Sequence, residues 1–162
     1  MSAAKFSISA IVLLLFISSC RGRLDKHGEV FAEMMKNEDG LFRGVSIGDT
    51  PDQVQRAEGV APSDFNETMY SYEGTIGESG SFVVRYGFEN GKVYEILVEA
   101  NFDENAEGLN MLAGFRDYFN EMYGLYEKEG GYLVWKTKAN SSNPDVMIEM
   151  MDESEFSDFG QF

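Results

Sequence analysis

The chain reads as an α+β protein, an antiparallel sheet covered on one face by a long helix. Three stretches predict it. Phe82–Ala100 alternates apolar and polar residues on both sides of Asn90-Gly91, as a hairpin does. Residues from about Ala106 to Tyr123 carry apolar side chains at spacings of three and four, as a helix does. Thr50–Gly59 has the start and stop signals of a second, shorter helix.

In chain order, His27–Lys36 places Val30, Phe31, Met34 and Met35 on one apolar face of a short helix, which Asn37-Glu38-Asp39-Gly40 ends. His27 is the only histidine and is expected to be solvated. Val45 and Ile47 alternate with polar neighbours, as in a short strand, and Gly48-Asp49 turns the chain. Thr50 then stands as an N-cap, with Pro51 at the first helical position and Gln53 closing a capping box. Val54 and Ala57 face inward, and Gly59 stops the helix. Asp49 and Asp52 argue against an anion site at its start.

Tyr70 and Tyr72 share one face of a strand, and Gly74–Gly80 reads as a flexible loop. Two hairpin registers compete. A two-residue Asn90-Gly91 loop pairs Tyr86 with Glu95 and sets Glu95 and Glu99 on the face of Phe82, Val84, Tyr86 and Phe88. A three-residue loop bulged at Gly91 pairs Tyr86 with Tyr94, Val84 with Ile96 and Arg85 with Glu95, which leaves one face wholly apolar. Burial selects the bulged turn.

Asn101, Asp103, Asn105 and Glu107 alternate like calcium ligands, but Ala106 replaces the required glycine and Leu112 the bidentate glutamate, so no metal is expected. In the long helix, Leu109, Leu112, Phe115, Phe119 and Met122 form the predicted core stripe, and Gly124 ends it. Tyr132–Lys138 and Val146–Met151 follow as strands, with Leu133 and Trp135 on one face of the first and Val146, Ile148 and Met150 on one face of the second. This order divides into two similar units, each a helix followed by strands.

The N-terminus gives an address. Lys5 precedes an apolar run from Ile8 to Ile17, within the roughly 7–15 residues of a secretory core and short of the ~20 that span a bilayer. It ends Ile17-Ser18-Ser19-Cys20, which resembles a bacterial lipoprotein signal: an aliphatic residue, two small residues, then cysteine. The resemblance implies cleavage between Ser19 and Cys20 and acylation of Cys20, the only cysteine in the chain. No thiol then remains for disulfides, redox work or a cysteine metal site. No Asp follows Cys20, which favours the outer membrane, with the domain in the periplasm or at the cell surface. The alternative is an ordinary signal anchor with an incidental cysteine.

The expected organisation is therefore a signal over 1–19, a lipidated tether with a short helix over 20–40, an α+β domain over 41–151 and an acidic mobile tail over 152–162. Loss of Lys5 with the signal leaves 12 basic against 28 acidic residues, a net charge of −16. Such a surface repels nucleic acid and anionic lipid. Arg21, Arg23 and Lys26, beside the anchor, are the exceptions.

Val45-Ser46-Ile47-Gly48-Asp49-Thr50 with Val54 and Gly59, then Tyr70 and Tyr72, then the hairpin with Phe88 and Val93, resembles the BamE/SmpA type of small outer-membrane lipoprotein over roughly Arg43–Ala100. β-Lactamase inhibitor proteins are built on a similar helix-plus-sheet unit. The likeness implies a non-catalytic envelope adaptor that holds a protein partner on a sheet face or edge, without a cofactor. The charge fits a second expectation, an inhibitor or immunity protein against a basic secreted enzyme or toxin. An enzyme using paired carboxylates is the third, and no particular pair stands out.

Overall fold

In a computed structural model, residues 22–137 and 145–153 are described. The antiparallel sheet and its covering helix are both present, and a second small sheet joins them. The first sheet has the order β1-β2-β3-β4 with β1 Asp64–Asn66, β2 Met69–Ile76, β3 Gly80–Glu89 and β4 Lys92–Phe102. The second has the order β5-β6-β7 with β5 Glu127–Glu129, β6 Tyr132–Thr137 and β7 Val146–Met150. Three helices complete the fold: α1 Glu29–Met35, α2 Pro51–Glu58 and α3 Asn105–Tyr123.

α2 forms as its sequence predicts. The Thr50 hydroxyl accepts from the Gln53 N–H, Gln53 answers the Thr50 N–H at 2.9 Å, and Gly59 takes the left-handed conformation at φ 69°. The short strand expected at Val45–Ile47 is instead a tight turn, with Phe42 and Val45 bridged across it. Arg43 at φ 52° and Gly44 at φ 81° make that turn. Its outgoing arm leans on β4, because the Gly48 N–H donates to Val93 O at 2.7 Å and the Val93 N–H to Asp49 O at 2.8 Å.

The hairpin corrects the expected register. The turn has two residues, Asn90 at φ 52° and Gly91 at φ 72°, and Phe88 pairs with Val93. The bulge comes later, between Gly87 and Phe88: Gly87 pairs with Glu95, so Tyr94 is the extra residue. Beyond it Tyr86 faces Ile96, Val84 faces Val98 and Phe82 faces Ala100. The expected pair Arg85–Glu95 is absent, and Arg85 bonds Glu99 at 2.9 Å. The apolar face is segregated as burial demands, through a bulge placed where the Tyr94 ring can lie over a glycine. A Cβ on Gly87 would come to 3.0 Å of that ring.

Gly74–Ile76, read as loop, belong to β2, and Ile76 is buried. Only 77–79 turn, and two carboxylates hold them. The Gly77 N–H donates to Glu33 at 3.0 Å, while the Glu78 and Ser79 N–H groups and the Ser79 hydroxyl donate to Glu107. The Ser79 hydroxyl, and after it the Glu78 amide, hold the surface carboxyl of Glu107 below its ordinary 4.5. A depressed value stabilises the fold above 4.5 and loses that contribution as pH falls through the folded value. The Ser79 amide resonance should titrate with a midpoint below 4.5, and Glu107→Gln should erase the transition.

One core runs through all these elements. Phe31, Met34 and Met35 of α1 are fully buried in it with Val54, Tyr86 and Trp135. The short helix grouped with the tether thus packs as an element of the domain. His27, expected in solvent, is 5% exposed at its side chain. Its ring stands edge-on between Phe31 at 5.3 Å and Tyr118 at 5.6 Å, and aromatic packing decides its place. α1 can approach α3 because position 114 is glycine: a Cβ there would meet His27 O at 2.6 Å and the Phe31 Cβ at 2.8 Å. Glycine to alanine inside a helix ordinarily gains stability. Here Gly114→Ala should instead cost about 1–3 kcal/mol by overpacking, read as a lower urea midpoint.

Candidate functional site

α3 lies between two layers, and a concavity opens beside it. On one side Phe115 and Tyr118 meet Phe31, at 4.8 and 5.3 Å between ring centres. On the other Phe119 meets Trp135 of β6 at 5.3 Å, and Trp135 also donates its indole N–H to Asn120 at 3.1 Å. Those contacts clamp the second sheet to the C-terminal half of α3. Toward the N-terminal half the two diverge and leave a groove of about 370 Å³. Leu109, Leu112, Ala113 and Arg116 of α3 form one wall, with Leu133 and Met150 opposite.

The core stripe read from the sequence is corrected here. The buried positions of α3 are Met111, Gly114, Phe115, Tyr118 and Phe119. Leu109 is 50% and Met122 40% exposed. Apolar residues occupy 109, 111, 112, 113, 115, 118, 119 and 122, more than one stripe can hold. That width is the signal of a helix between two layers, and Leu109 and Leu112 belong to the second face, at the groove.

Arg116 and Asp152 stand in its lining beside the leucines and Met150, so the groove is of mixed character, part apolar and part charged. The Arg116 guanidinium at its rim pairs with Asp117 at 2.9 Å. Leu109, Leu112, Leu133 and Met150 give the groove aliphatic and thioether surface beside those charges.

The other concentration of polar groups is inside the fold. Glu58, at the end of α2, is 4% exposed. It accepts from Arg43 Nε at 3.0 Å and from the Tyr86 hydroxyl at 2.5 Å. Arg43 also donates to Met34 O at 3.0 Å and lies 4.9 Å from the centre of the Phe82 ring. Lys36 donates to the carbonyls of Ala57 and Glu58 at 2.7 and 2.6 Å. Burial, and then the charge of Glu58, push the Tyr72 hydroxyl up to about 12 and raise Tyr86 further. These groups tie α1, the 42–45 turn, α2 and β3 together. Their contacts are with one another and with backbone, so we read them as a structural network.

At the N-terminal corner, Lys26 reaches Glu121 of α3 at 2.5 Å, and His27 Nε2 lies 3.7 Å from the same carboxylate. Arg23 lies 3.5 Å from Glu38 and 5.9 Å from the centre of the Tyr118 ring. Lys26 holds the Glu121 carboxyl below its ordinary range.

Ser19 and Cys20 lie outside the described residues, as do the 139–144 loop and most of the acidic tail. Of the calcium-like series, Asn101 ends in strand β4 and Asn105 opens α3, so the alternating run is divided between two elements. Among the described residues no cluster of three or more His, Cys, Asp or Glu could hold a metal ion, and no helix is long and apolar enough to cross a membrane. Comparison with family models, with curated proteins and with solved structures finds no match.

Proposed function

We propose that this chain is a lipid-anchored, non-catalytic adaptor of a bacterial envelope, joined to the outer membrane through Cys20 and holding a protein partner in the groove between α3 and the second sheet. The observation that carries the reading is the groove itself: a cleft with Leu109, Leu112, Leu133 and Met150 in its lining and Arg116 and Asp152 beside them, on a domain whose buried charges are engaged with one another. The Ile17–Cys20 box supports the anchor, and the likeness over Arg43–Ala100 supports an envelope role.

A photo-crosslinking residue at Leu109, compared with one at exposed Phe65 of β1, tests this in the native envelope. A partner captured at 109 and not at 65 supports the adaptor. Capture at neither position, or equally at both, sinks the groove as the binding site. Cys20→Ala tests the anchor separately, since a variant still in the membrane fraction after a carbonate wash refutes lipidation.

The second reading, an inhibitor of a basic secreted protein, is favoured by one observation. Arg23, Lys26, Arg43, Arg85, Arg116 and Lys136 each lie within 4.0 Å of an acid, so the acidic surplus is left to face outward. A partner retained at about 0.1 M salt and released at about 1 M, where screening shortens from roughly 10 to 3 Å, would select it.

A further inference from the structure

We propose that the corner made by Met122 and Leu125, beside Arg23 and Lys26, rests on the lipid surface and sets how the domain stands on the membrane. This inference rests on the reading of Cys20 as the anchor.

The first argument is length. The chain is tied down almost as soon as it leaves Cys20. The Asp25 N–H donates to Gly22 O at 3.1 Å, Leu24 is buried in the core, and Lys26 and His27 are held against α3. Four residue steps from Cys20 to Leu24 reach at most about 14 Å. The headgroup layer on one side of a bilayer takes about 5–8 Å of that. Leu24 therefore stands within about 10 Å of the lipid surface, and the domain cannot turn a distant face to it.

The second argument is what lies at that corner. Lys26 meets Glu121, and Tyr118, Glu121 and Met122 are three and four residues apart on α3, so they share a face. Met122 is exposed at 40%, and Leu125, one residue past the helix cap, at 87%. Among the described residues, the large apolar side chain standing furthest into solvent thus follows directly on the helix end that Lys26 touches.

The third argument is charge. At this corner Glu38 is answered by Arg23 and Glu121 by Lys26, while Lys136 answers Glu127 and Glu129 beyond Leu125. Asp25 adds one acid. Those are three bases against five acids, a local net of −2, so little of the chain's −16 opposes the approach of headgroups here.

Acylation consumes the only native thiol, so Leu125→Cys and Phe65→Cys each give one addressable site on the mature lipoprotein. Phe65 lies on β1, at the sheet edge opposite β4, the strand that α3 touches. Each variant is labelled with an environment-sensitive fluorophore. It is then reconstituted into vesicles of zwitterionic and anionic phospholipid carrying a quencher near the headgroup. The probe at 125 should be quenched about two-fold or more, and the probe at 65 should be little changed. Equal quenching at both sites in protein that floats with the vesicles would overturn the orientation while leaving the anchor intact. Protein that does not float refutes the anchor, and the orientation falls with it.

Discussion

Replacing Glu58 with alanine should destabilise the fold by about 3–5 kcal/mol, the cost of removing one partner from a buried charge pair. Two groups lose their acceptor together. The Arg43 guanidinium, 12% exposed at its side chain, keeps only Met34 O and the Phe82 ring, and the Tyr86 hydroxyl is left in the core with nothing to bond. Arg43 also sits at φ 52°, a conformation that side chains tolerate when their surroundings hold them there. Without Glu58 the 42–45 turn loses its main restraint. Glu58→Gln keeps an acceptor and removes the charge, so it should cost clearly less. Equilibrium urea unfolding of both variants checks this; equal losses would mean that the charge, not the hydrogen bonds, dominates.

The same network sets the alkaline limit of the fold. The Tyr86 hydroxyl is raised above its ordinary 10 by burial first and by Glu58 next, and Tyr72 stands at about 12 for the same reasons. A folded value above the unfolded one stabilises fully below pH 10 and loses that contribution as pH rises. Phenolate absorbance should therefore show these two tyrosines titrating well above pH 10. Glu58→Gln should bring Tyr86 down.

The second large effect is expected at Trp135. It is 1% exposed, the largest of the fully buried side chains, and its alanine variant should lose about 3–5 kcal/mol. The loss should fall unevenly. Trp135 joins β6 to Phe119, Tyr126 and Asn120, so its removal leaves the second sheet without its main attachment to α3. Amide exchange in β5–β7 should accelerate more than in β2–β3. Leu109 crosslinking should fall with it, because the groove needs both walls. Uniform acceleration would show that the two sheets unfold as one unit.

The parts of this fold that were legible in the sequence are those set by local chemistry. Thr50, Pro51, Gln53 and Gly59 bound α2 by hydrogen bonds and φ preferences within ten residues, and the hairpin turn is written in Asn90-Gly91. The period of α3 was legible, but the division of its apolar residues was not. Which of Leu109 and Met111 is buried depends on where two other layers lie, and those layers come from distant segments. The hairpin register shows the same limit. Segregation of the apolar face is a local rule, yet a bulge at Gly91 and one at Tyr94 satisfy it equally. The space above Gly87 decides between them. Glu58 and His27 were misread or passed over for one reason: a charged residue near a helix end and a histidine near a tether are ordinarily solvated, and only the partners brought in by α1, β3 and α3 make their burial affordable.

The bulge at Tyr94 has a bearing on how this protein behaves when crowded. β4 is an eleven-residue strand at the border of its sheet, with its first turn of hydrogen bonding taken by Gly48 and Asp49. A flat border of that length invites a neighbouring molecule to add itself as the next strand. The extra residue twists this one, and exposed Glu95, with Glu99 partly offset by Arg85, sets acidic charge along it against a second molecule. With both residues replaced by glutamine the guard weakens, and sheet-to-sheet annealing becomes the hazard to be expected first.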